Sequence, residues 1–454
     1  MTDLVFARSL FGTTMGFHII FATLGVGLPL MILFAEIMFQ RTKDIDYSIM
    51  AKRWTKGQAV LLGVAIPTGT IAGVQLSLLW PGFMEVIGKV MSLPFQIEIY
   101  AFFIEALFMS IYVYAYDKIG PKTRILSVFF IFLGATASAV LITNVHAFEG
   151  TPAGFRIQNG EIVDVDPWAA FFNPSFLVSA AHVAFSAFMT GAFMITTIAA
   201  FKMLKNRKND RLFAFHRKAF IMSLLIGLIT SFLTAINGHE SAQMLHEYQP
   251  EKLAAAEGLF ETQKYAGLTI GGFTDRETQE VKYGIEIPWA LSFLSGNSFD
   301  TEVKGLNDFP EDYWPPLFVH TLFNAMVLIG SALIGVSLFG LVWKRFVKKP
   351  FPKWFLWICV PAGPLSLLSI EFGWIFACTG RQPWVIYRLL RTSEVVTKSG
   401  QIGTLFFAFT IVYAILGAAV LLVLLYYFKR NPVEKDLEAA ARGDSDKGNG
   451  VDVY

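Results

Sequence analysis

Charged side chains are scarce in this sequence of 454 residues: they make up 16% of it, against roughly 25% in an ordinary soluble domain. Hydrophobic residues account for 54%, and phenylalanine alone occurs 44 times. A core cannot hide so much apolar surface from water, so lipid must solvate a large part of the chain. This composition excludes a disordered protein, a fibrous protein and a small secreted disulfide-bonded protein.

Cysteine is nearly absent, with only Cys359 and Cys378, both in or beside apolar segments. Neither belongs to a C-x-x-C or Cys/His cluster, which favours core packing over the alternative of a metal-binding pair. The net charge is +2, and no basic stripe remains once the loops are assigned. We therefore expect no nucleic-acid partner.

Nine apolar segments approach or exceed the 20 or so residues that a helix needs to cross a bilayer. They predict an all-α polytopic membrane protein with about nine transmembrane helices. The first segment is too long for a cleavable signal peptide and contains a His and a Glu, so we expect it to stay in the protein. The segments are about 12–39, 57–80, 94–116, 124–146, 176–200, 219–238, 316–343, 354–377 and 403–428.

Lysine and arginine collect in alternate loops. Basic residues near a membrane favour the cytoplasmic side, so the N-terminus is predicted outside and the C-terminus in the cytoplasm. The basic loops contain Arg41, Lys43, Lys52, Arg53 and Lys56; Lys118, Lys122 and Arg124; Lys202, Lys205, Arg207, Lys208, Arg211, Arg217 and Lys218; and Lys344, Arg345, Lys348, Lys349 and Lys353.

Residues 1–428 are predicted to form one transmembrane domain, and 429–454 a polar, loosely held cytoplasmic tail. The connection at 239–315, between the sixth and seventh segments, is long, acidic and predicted to lie outside. It contains a helix-like stretch, QPEKLAAAEGLFETQKY. Its aromatic and proline residues favour a folded cap that returns to the membrane surface, with a solvated linker as the alternative.

Ionisable residues at membrane depth are costly and therefore suggest function. Here they concentrate in the predicted outer half of the bilayer. Glu98 and Glu105 are seven residues apart, so they share a helix face and suggest a proton relay or a cation site. Glu36, near the inner end of the first segment, is interpreted as a side chain that reaches the interface. The others are His18, His146, His182, His320 and Glu371.

Imidazole and thioether are axial haem ligands, so a redox protein is one interpretation of this set. Taken singly, each histidine is equally compatible with a hydrogen bond between helices, and Met326 alone with core packing. Only four of the seven histidines lie at membrane depth, too few for a copper-containing haem oxidase.

Three motifs carry a resemblance to a known family. EFGWIFACTGRQPW, from Glu371 to Trp384, looks like that family's E-x-G-W followed by G-R-Q-P-W. KLAAAE, from Lys252 to Glu257, is similar to its quinol-oxidising loop, and IEIYAFFIEALF matches in the third segment. Over nearly its full length the chain resembles subunit I of the cytochrome bd-type quinol oxidases.

The resemblance implies the haem ligands. His182 and Met326 match the axial ligands of a low-spin haem b, and His18 and Glu371 match the ligands of two high-spin haems. The resemblance allows haem b plus haem d, or haem b at both high-spin positions.

It also implies roles in proton transfer and quinol binding. Glu98 and Glu105 match glutamates that move protons to the oxygen site, and Lys252 and Glu257 match residues that bind and deprotonate quinol. Three residues of the G-R-Q-P-W motif are expected near the haem propionates or the quinol pocket. These are Arg381, Gln382 and Trp384.

The implied activity is oxidation of membrane quinol at the outer face with reduction of O₂ to water, which builds a proton gradient without pumping. The implied partners are a second membrane subunit and, in some members, a small single-helix subunit. The implied location is the cell membrane of a bacterium or archaeon. The alternatives are a haem subunit that only passes electrons and a carboxylate-based proton-coupled transporter.

Two positions depart from the family's pattern. Asn324 stands where many members have an Arg, and His146 replaces an aromatic residue found in some members. A lost cation beside the low-spin haem is expected to lower its potential. His146 is either an extra proton carrier or a hydrogen-bonding residue at the outer end of its helix.

Overall fold

The computed structural model describes residues 3–347 and 349–442. Within these ranges, nine helices are long and apolar enough to cross a membrane, which confirms the predicted all-α polytopic fold. Lys348, one of the basic-loop residues, and residues 443–454 of the predicted tail lie outside the described part.

The helices form a chain of long membrane segments joined by short surface elements. In order they are α1 (Asp3–Thr42), α2 (Ile45–Leu79), α3 (Pro81–Val90), α4 (Ser92–Tyr114), α5 (Pro121–Gly150), α6 (Pro167–Phe171), α7 (Phe176–Lys205), α8 (Asp210–Tyr248), α9 (Pro250–Glu257), α10 (Ala290–Gly296), α11 (Val319–Val342), α12 (Lys353–Cys359), α13 (Ala362–Thr379), α14 (Ile402–Arg430) and α15 (Val433–Ala441).

The strands are short and pair only as antiparallel hairpins in the connections of the described chain. They are β1 (Arg156–Gln158) with β2 (Glu161–Val163), β3 (Leu268–Ile270) with β6 (Ile285–Ile287), β4 (Phe273–Asp275) with β5 (Glu280–Lys282), and β7 (Trp384–Ile386) with β8 (Leu390–Arg391).

The predicted eighth segment is two helices rather than one. α12 ends at Cys359 and α13 begins at Ala362, with Pro361 between them. Proline has no N–H to continue the ladder and its ring crowds the preceding turn, so the helix breaks there. The break separates the part of this segment that carries Glu371 from the part that carries Cys359.

α1 and α7 lie at the centre of the bundle. α1 packs against α2, α5, α7 and α14, and α7 packs against α1, α5, α8 and α13. α11 and α14 lie at the periphery and expose large apolar side chains such as Leu328 and Ile411. Apolar side chains exposed along helices of this length are typical of a surface in contact with lipid.

The two ends of the bundle differ in charge. We call the end that carries the 249–318 connection the loop face, and the end that carries the connections at 43–44, 115–120, 206–209 and 343–352 the basic face. At the basic face Asp46 is buried. It accepts hydrogen bonds from Arg211 at 2.9 Å and Lys218 at 2.6 Å, which join α2 to α8.

The long connection is a folded cap rather than a solvated linker. It begins at Gln249 instead of His239, because residues 239–248 continue α8. The β4–β5 hairpin is enclosed between β3 and β6. The cap has an apolar core that includes Leu253, Leu291 and Phe376, so it packs directly onto α13.

The beginning of the predicted tail is not loose. α15 packs against α2, with Val433 and Leu437 buried. Arg53 of α2 donates to Asp436 at 2.6 Å and to the Asn431 carbonyl at 2.9 Å. The sequence did not predict this helix, because an amphipathic stretch of nine residues is too short to give a membrane signal.

Candidate functional site

His18 and Glu371 lie on α1 and α13, and each faces a different neighbouring helix. Nδ1 of His18 bonds to the Thr68 hydroxyl at 3.0 Å. A methyl group added at Gly16, two residues before His18, would lie 3.3 Å from Oε2 of Glu371. Oε1 of Glu371 is buried and has no partner among the described residues. The imidazole therefore faces α2, and the carboxylate lies beside α1 at Gly16.

His182 and Met326 lie on α7 and α11, and each is held by a neighbouring helix. Nδ1 of His182 bonds to Oδ1 of Asn237 on α8 at 3.0 Å. A side chain at Gly373 would lie 2.9 Å from Sδ of Met326, so only glycine leaves the thioether its present room. The Asn237 bond fixes the orientation of the His182 ring through Nδ1, so Nε2 is the ring nitrogen that could bind a metal.

Glu98 and Glu105 lie on one face of α4, turned toward α5, as their spacing predicts. The Ser138 hydroxyl donates to Glu98 at 3.1 Å. Glu105 is buried, and its Oε1 has no partner in the part of the chain described. At Gly134 an added Cβ would come within 3.0 Å of Glu105 Cβ, so glycine allows the two helices to approach here.

Lys252 and Glu257 are buried at the two ends of α9. Nζ of Lys252 donates to the Ala377 carbonyl at 2.9 Å, whereas neither carboxylate oxygen of Glu257 has a partner among the described residues. Burial, with Arg381 nearby, lowers the pKa of Lys252 to about 7, and burial raises the pKa of Glu257 to about 8. Both groups therefore exchange protons near neutral pH.

The G-R-Q-P-W residues point in different directions. Arg381 is buried and forms an ion pair with Glu149 at the end of α5, beside Lys252. Oε1 of Gln382 accepts from Thr392 at 2.9 Å. Trp384 packs edge-on against Tyr313 of the cap, with ring centroids 5.2 Å apart. Arg381 thus faces the bundle, Gln382 joins the two ends of the β7–β8 hairpin, and Trp384 packs that hairpin against the cap.

Several supporting residues were not singled out from the sequence. Glu149 also bonds to Nδ1 of His146 at 3.3 Å, and their i,i+3 spacing on a helix was a usable signal. Glu251 accepts from Arg388 at 2.6 Å and from the Tyr387 hydroxyl, which fixes α9 to the β7–β8 turn. Asn237 gave no local signal, because its partner His182 is 55 residues away.

Asn324, the departure from the family's pattern, holds the cap. Its Oδ1 accepts from the Gly271 N–H at 2.8 Å, and His320 bonds to the Ala256 carbonyl at 2.7 Å. These bonds attach α11 to the β3–β4 turn and to the end of α9, where Gly258 adopts φ 69°. His320 therefore has a structural place beneath the cap.

Glu36 does not reach the interface as interpreted above. It is fully buried, and Tyr112 and Tyr116 donate to its Oε1 at 2.5 and 3.0 Å. Whether Glu36 is buried depends on how α4 packs beside α1, and the sequence of α1 alone does not contain that information.

The side chains of the four candidate ligands are suited to bind haem iron. In the described chain, His18 and His182 each have a hydrogen-bond partner at Nδ1 only. The Met326 sulfur packs against Gly373, where a larger residue would displace it, and one buried oxygen of Glu371 has no partner in the same described ranges. Imidazole, thioether and carboxylate are all ligands that iron accepts.

Comparison with known proteins identifies the family of the chain. The family model for cytochrome bd terminal oxidase subunit I matches residues 6–432. The chain belongs to this family, and it is a subunit of a quinol oxidase, an oxidoreductase. The alternative of a carboxylate-based proton-coupled transporter is therefore wrong.

Individual relatives cover nearly the whole chain. A putative cytochrome bd menaquinol oxidase subunit I of Bacillus subtilis is 71% identical, over 97% of this chain and 100% of its own length. A cytochrome bd ubiquinol oxidase subunit 1 of the same organism is 32% identical, over 94% and 93%. The bd oxidase structure from Geobacillus thermodenitrificans superposes with a TM-score of 0.89 at 42% identity, covering 95% of this chain and 99% of that one.

Proposed function

We propose that this subunit oxidises membrane quinol at the loop face and reduces O₂ to water within the loop-face half of the bundle. The observation that carries the proposal is that Glu257, Glu371 and Glu105 each have a buried oxygen without a partner among the described residues, in a bundle that also contains two histidines bonded at Nδ1. Iron, quinol and transferred protons would satisfy these groups.

Residues 1–428 form one haem-binding domain in this proposal. His182 and Met326 would hold a low-spin haem b, and His18 and Glu371 would each hold one high-spin haem, either b plus d or b in both. Bound haem would supply electron transfer where two protein ligands bind it, and an open coordination position for O₂ where only one does. Asn237 orients the His182 ring, and Thr68 orients the His18 ring.

Quinol would bind at the cap, residues 239–315 in the predicted bounds. Glu257 accepts a quinol proton, because its buried carboxyl has no internal partner among the described residues. Lys252 lies at the other end of α9 and would contact a quinol oxygen after releasing the Ala377 carbonyl. The name of the relative with 71% identity favours menaquinol as the substrate.

The orientation follows from the basic loops, with the loop face outside and the basic face in the cytoplasm. Quinol protons then leave outside, while the protons that form water come from the cytoplasm. Glu105 and Glu98 hold and pass the latter protons over the last part of the path. This arrangement separates charge across the bilayer without pumping.

The partner in this proposal is a second large membrane subunit, joined in some members of the family by a small single-helix subunit. The membrane is the cell membrane of a bacterium or archaeon, where the C-terminal tail faces the cytoplasm. The exposed apolar faces of α4 and α14 are available to lipid or to these subunits.

The test is a visible spectrum of the purified complex, dithionite-reduced minus air-oxidised, together with O₂ uptake driven by menaquinol and ubiquinol analogues. Low-spin b bands with quinol-dependent O₂ uptake support the proposal, and a far-red chlorin band selects haem d. Haem bands without O₂ uptake would instead identify a subunit that only transfers electrons. A complex without haem bands would overturn the proposal.

A further inference from the structure

Glu36 is a buried carboxyl that the proposed mechanism does not use. It lies on α1 near the basic face, more than four helical turns from His18 on the same helix. Its side chain is fully buried, and Tyr112, which contacts it, belongs to the largest hydrophobic core cluster of the described chain. A carboxyl at such a place is costly unless its oxygens are bonded or it holds a proton.

The two carboxylate oxygens of Glu36 differ in their hydrogen bonding. Oε1 accepts from both Tyr112 and Tyr116, but Oε2 is buried without a partner in the described chain. Asp46, the other fully buried carboxylate of this half, binds two cations instead. A carboxyl kept only to fasten helices would be expected to use both oxygens, as Asp46 does. Glu36 has one oxygen left to take a proton.

The Glu36 cluster, which comprises Glu36, Tyr112, Tyr116 and Ser48, connects to the basic face. The Ser48 hydroxyl bonds to the Tyr116 hydroxyl at 2.9 Å, which gives a continuous path from Ser48 through Tyr116 to Glu36. Lys52 lies 4.2 Å over the Tyr116 ring and forms a half-exposed ion pair with Asp117 at 3.1 Å. The Tyr116 side chain thus contacts both Lys52 near the surface and the buried carboxyl of Glu36.

The Glu36 cluster also lies in line with Glu98 and Glu105. Tyr112 follows Glu105 by seven residues, as Glu105 follows Glu98, so the three share one face of α4. The rise from Glu105 to Tyr112 is about 10 Å. This interval contains Met109 and is apolar, so about three water molecules at ~2.8 Å spacing would have to bridge it during turnover.

We infer that Glu36 is the collecting point for protons from the basic face on their way to Glu105. A proton passes from water through Ser48 and the Tyr116 hydroxyl to the Glu36 carboxylate. Glu36 then returns to its carboxylate form as the Glu105 carboxylate accepts the proton, with no electron moved. The inference rests on the proposed oxygen reduction, because only a reaction that consumes protons inside the bundle needs this supply.

The experiment uses the complete complex with excess quinol, and measures O₂ uptake in H₂O and in D₂O together with the haem spectrum. Glu36→Gln removes the ionisable carboxyl but keeps an oxygen for the two tyrosines. Tyr112→Phe removes one hydroxyl. The matched controls are Glu85→Gln, a surface carboxylate paired with Lys89, and Tyr114→Phe, a hydroxyl on the same helix in a side chain that is 77% exposed.

We expect Glu36→Gln to slow O₂ uptake about tenfold, because a positioned proton carrier typically contributes at least that much. The slowing should bring a larger solvent isotope effect and an unchanged haem spectrum, with a smaller loss in Tyr112→Phe and none in the controls. A purely structural role would move neither the isotope effect nor the rate per haem.

Wild-type rate and isotope effect in Glu36→Gln with intact haem would overturn the inference. If that variant fails to assemble, Tyr116→Phe, which removes the hydroxyl that the path passes through, decides by the same criterion. Absence of O₂ uptake in the wild-type complex would overturn the proposed function as well, which distinguishes the two failures.

Discussion

Buried carboxylates near the two ends of this bundle are partnered in different ways. Toward the basic face, Asp46 is bonded by Arg211 and Lys218. Toward the loop face, Glu149 and Glu251 are likewise bonded by arginines, but Glu257 has two buried oxygens without a partner among the described residues and Glu371 has one. Glu105, near the middle of α4, also has one. An unbonded buried polar atom costs about 1–3 kcal/mol, so such atoms persist where a ligand or a proton uses them.

The difference separates residues that hold the fold from residues that serve the reaction. In the loop-face half, some bonds orient other groups, as Asn237 does for His182, and others attach the cap, as Glu251 does. In the basic-face half, the bonds tie helices together. Glu36 is the exception in that half, which is why it carries the inference above.

The largest effect is expected from His182→Ala. The variant should lose the low-spin haem bands and at least ~100-fold of the quinol-driven O₂ uptake, since loss even of a supporting residue costs 10–100-fold at a metal site. The reduced-minus-oxidised spectrum measures this. His246→Ala, at the loop-face end of α8, is the control and should keep its bands. An unchanged spectrum in His182→Ala would remove the ligand assignment.

Glu105→Gln should be next, with O₂ uptake slowed about 10–100-fold and the haem bands retained. The amide keeps the shape of the side chain but cannot carry a proton, and proton carriers contribute roughly this much. Oxygen electrode rates per haem provide the measurement. Normal rates would rule out a relay through α4.

Glu257→Gln tests the role of an unbonded loop-face carboxyl through the pH dependence of quinol oxidation. Because burial raises the pKa of Glu257 to about 8, the carboxylate that accepts the quinol proton forms only as the pH rises toward that value. Wild-type quinol oxidation should therefore increase from pH 6 to 8. The variant should lose this increase and be about tenfold slower at pH 8. Parallel pH profiles in the two proteins would contradict the role of Glu257.

Asp46→Asn should have the smallest effect on turnover. Removing a buried charge from its partners costs ~3–5 kcal/mol, reduced to roughly 1–3 here because Arg211 and Lys218 are partly exposed and water can solvate them. The thermal unfolding midpoint should fall while O₂ uptake per haem stays constant, with exposed Asp210→Asn as the control. A large loss of turnover in a folded Asp46→Asn would erase the distinction between the two ends.

The sequence by itself determined the class of fold, the membrane helices and the candidate set. Apolar runs longer than a bilayer is thick are a local signal, as is the seven-residue spacing of Glu98 and Glu105. The motifs from Glu371 to Trp384 and from Lys252 to Glu257 are also local, and they were enough to indicate the family that the comparisons confirm.

Only the tertiary structure decided which groups meet. Gly16 beside Glu371, Asn237 behind His182 and Glu149 beside Arg381 join helices distant in sequence. The packing of the cap on α13 and of α15 on α2 likewise depends on neighbours that no local pattern identifies. The burial of Glu36 is the clearest case: a carboxyl near a helix end is solvated or enclosed according to what packs beside it, and here α4 supplies Tyr112.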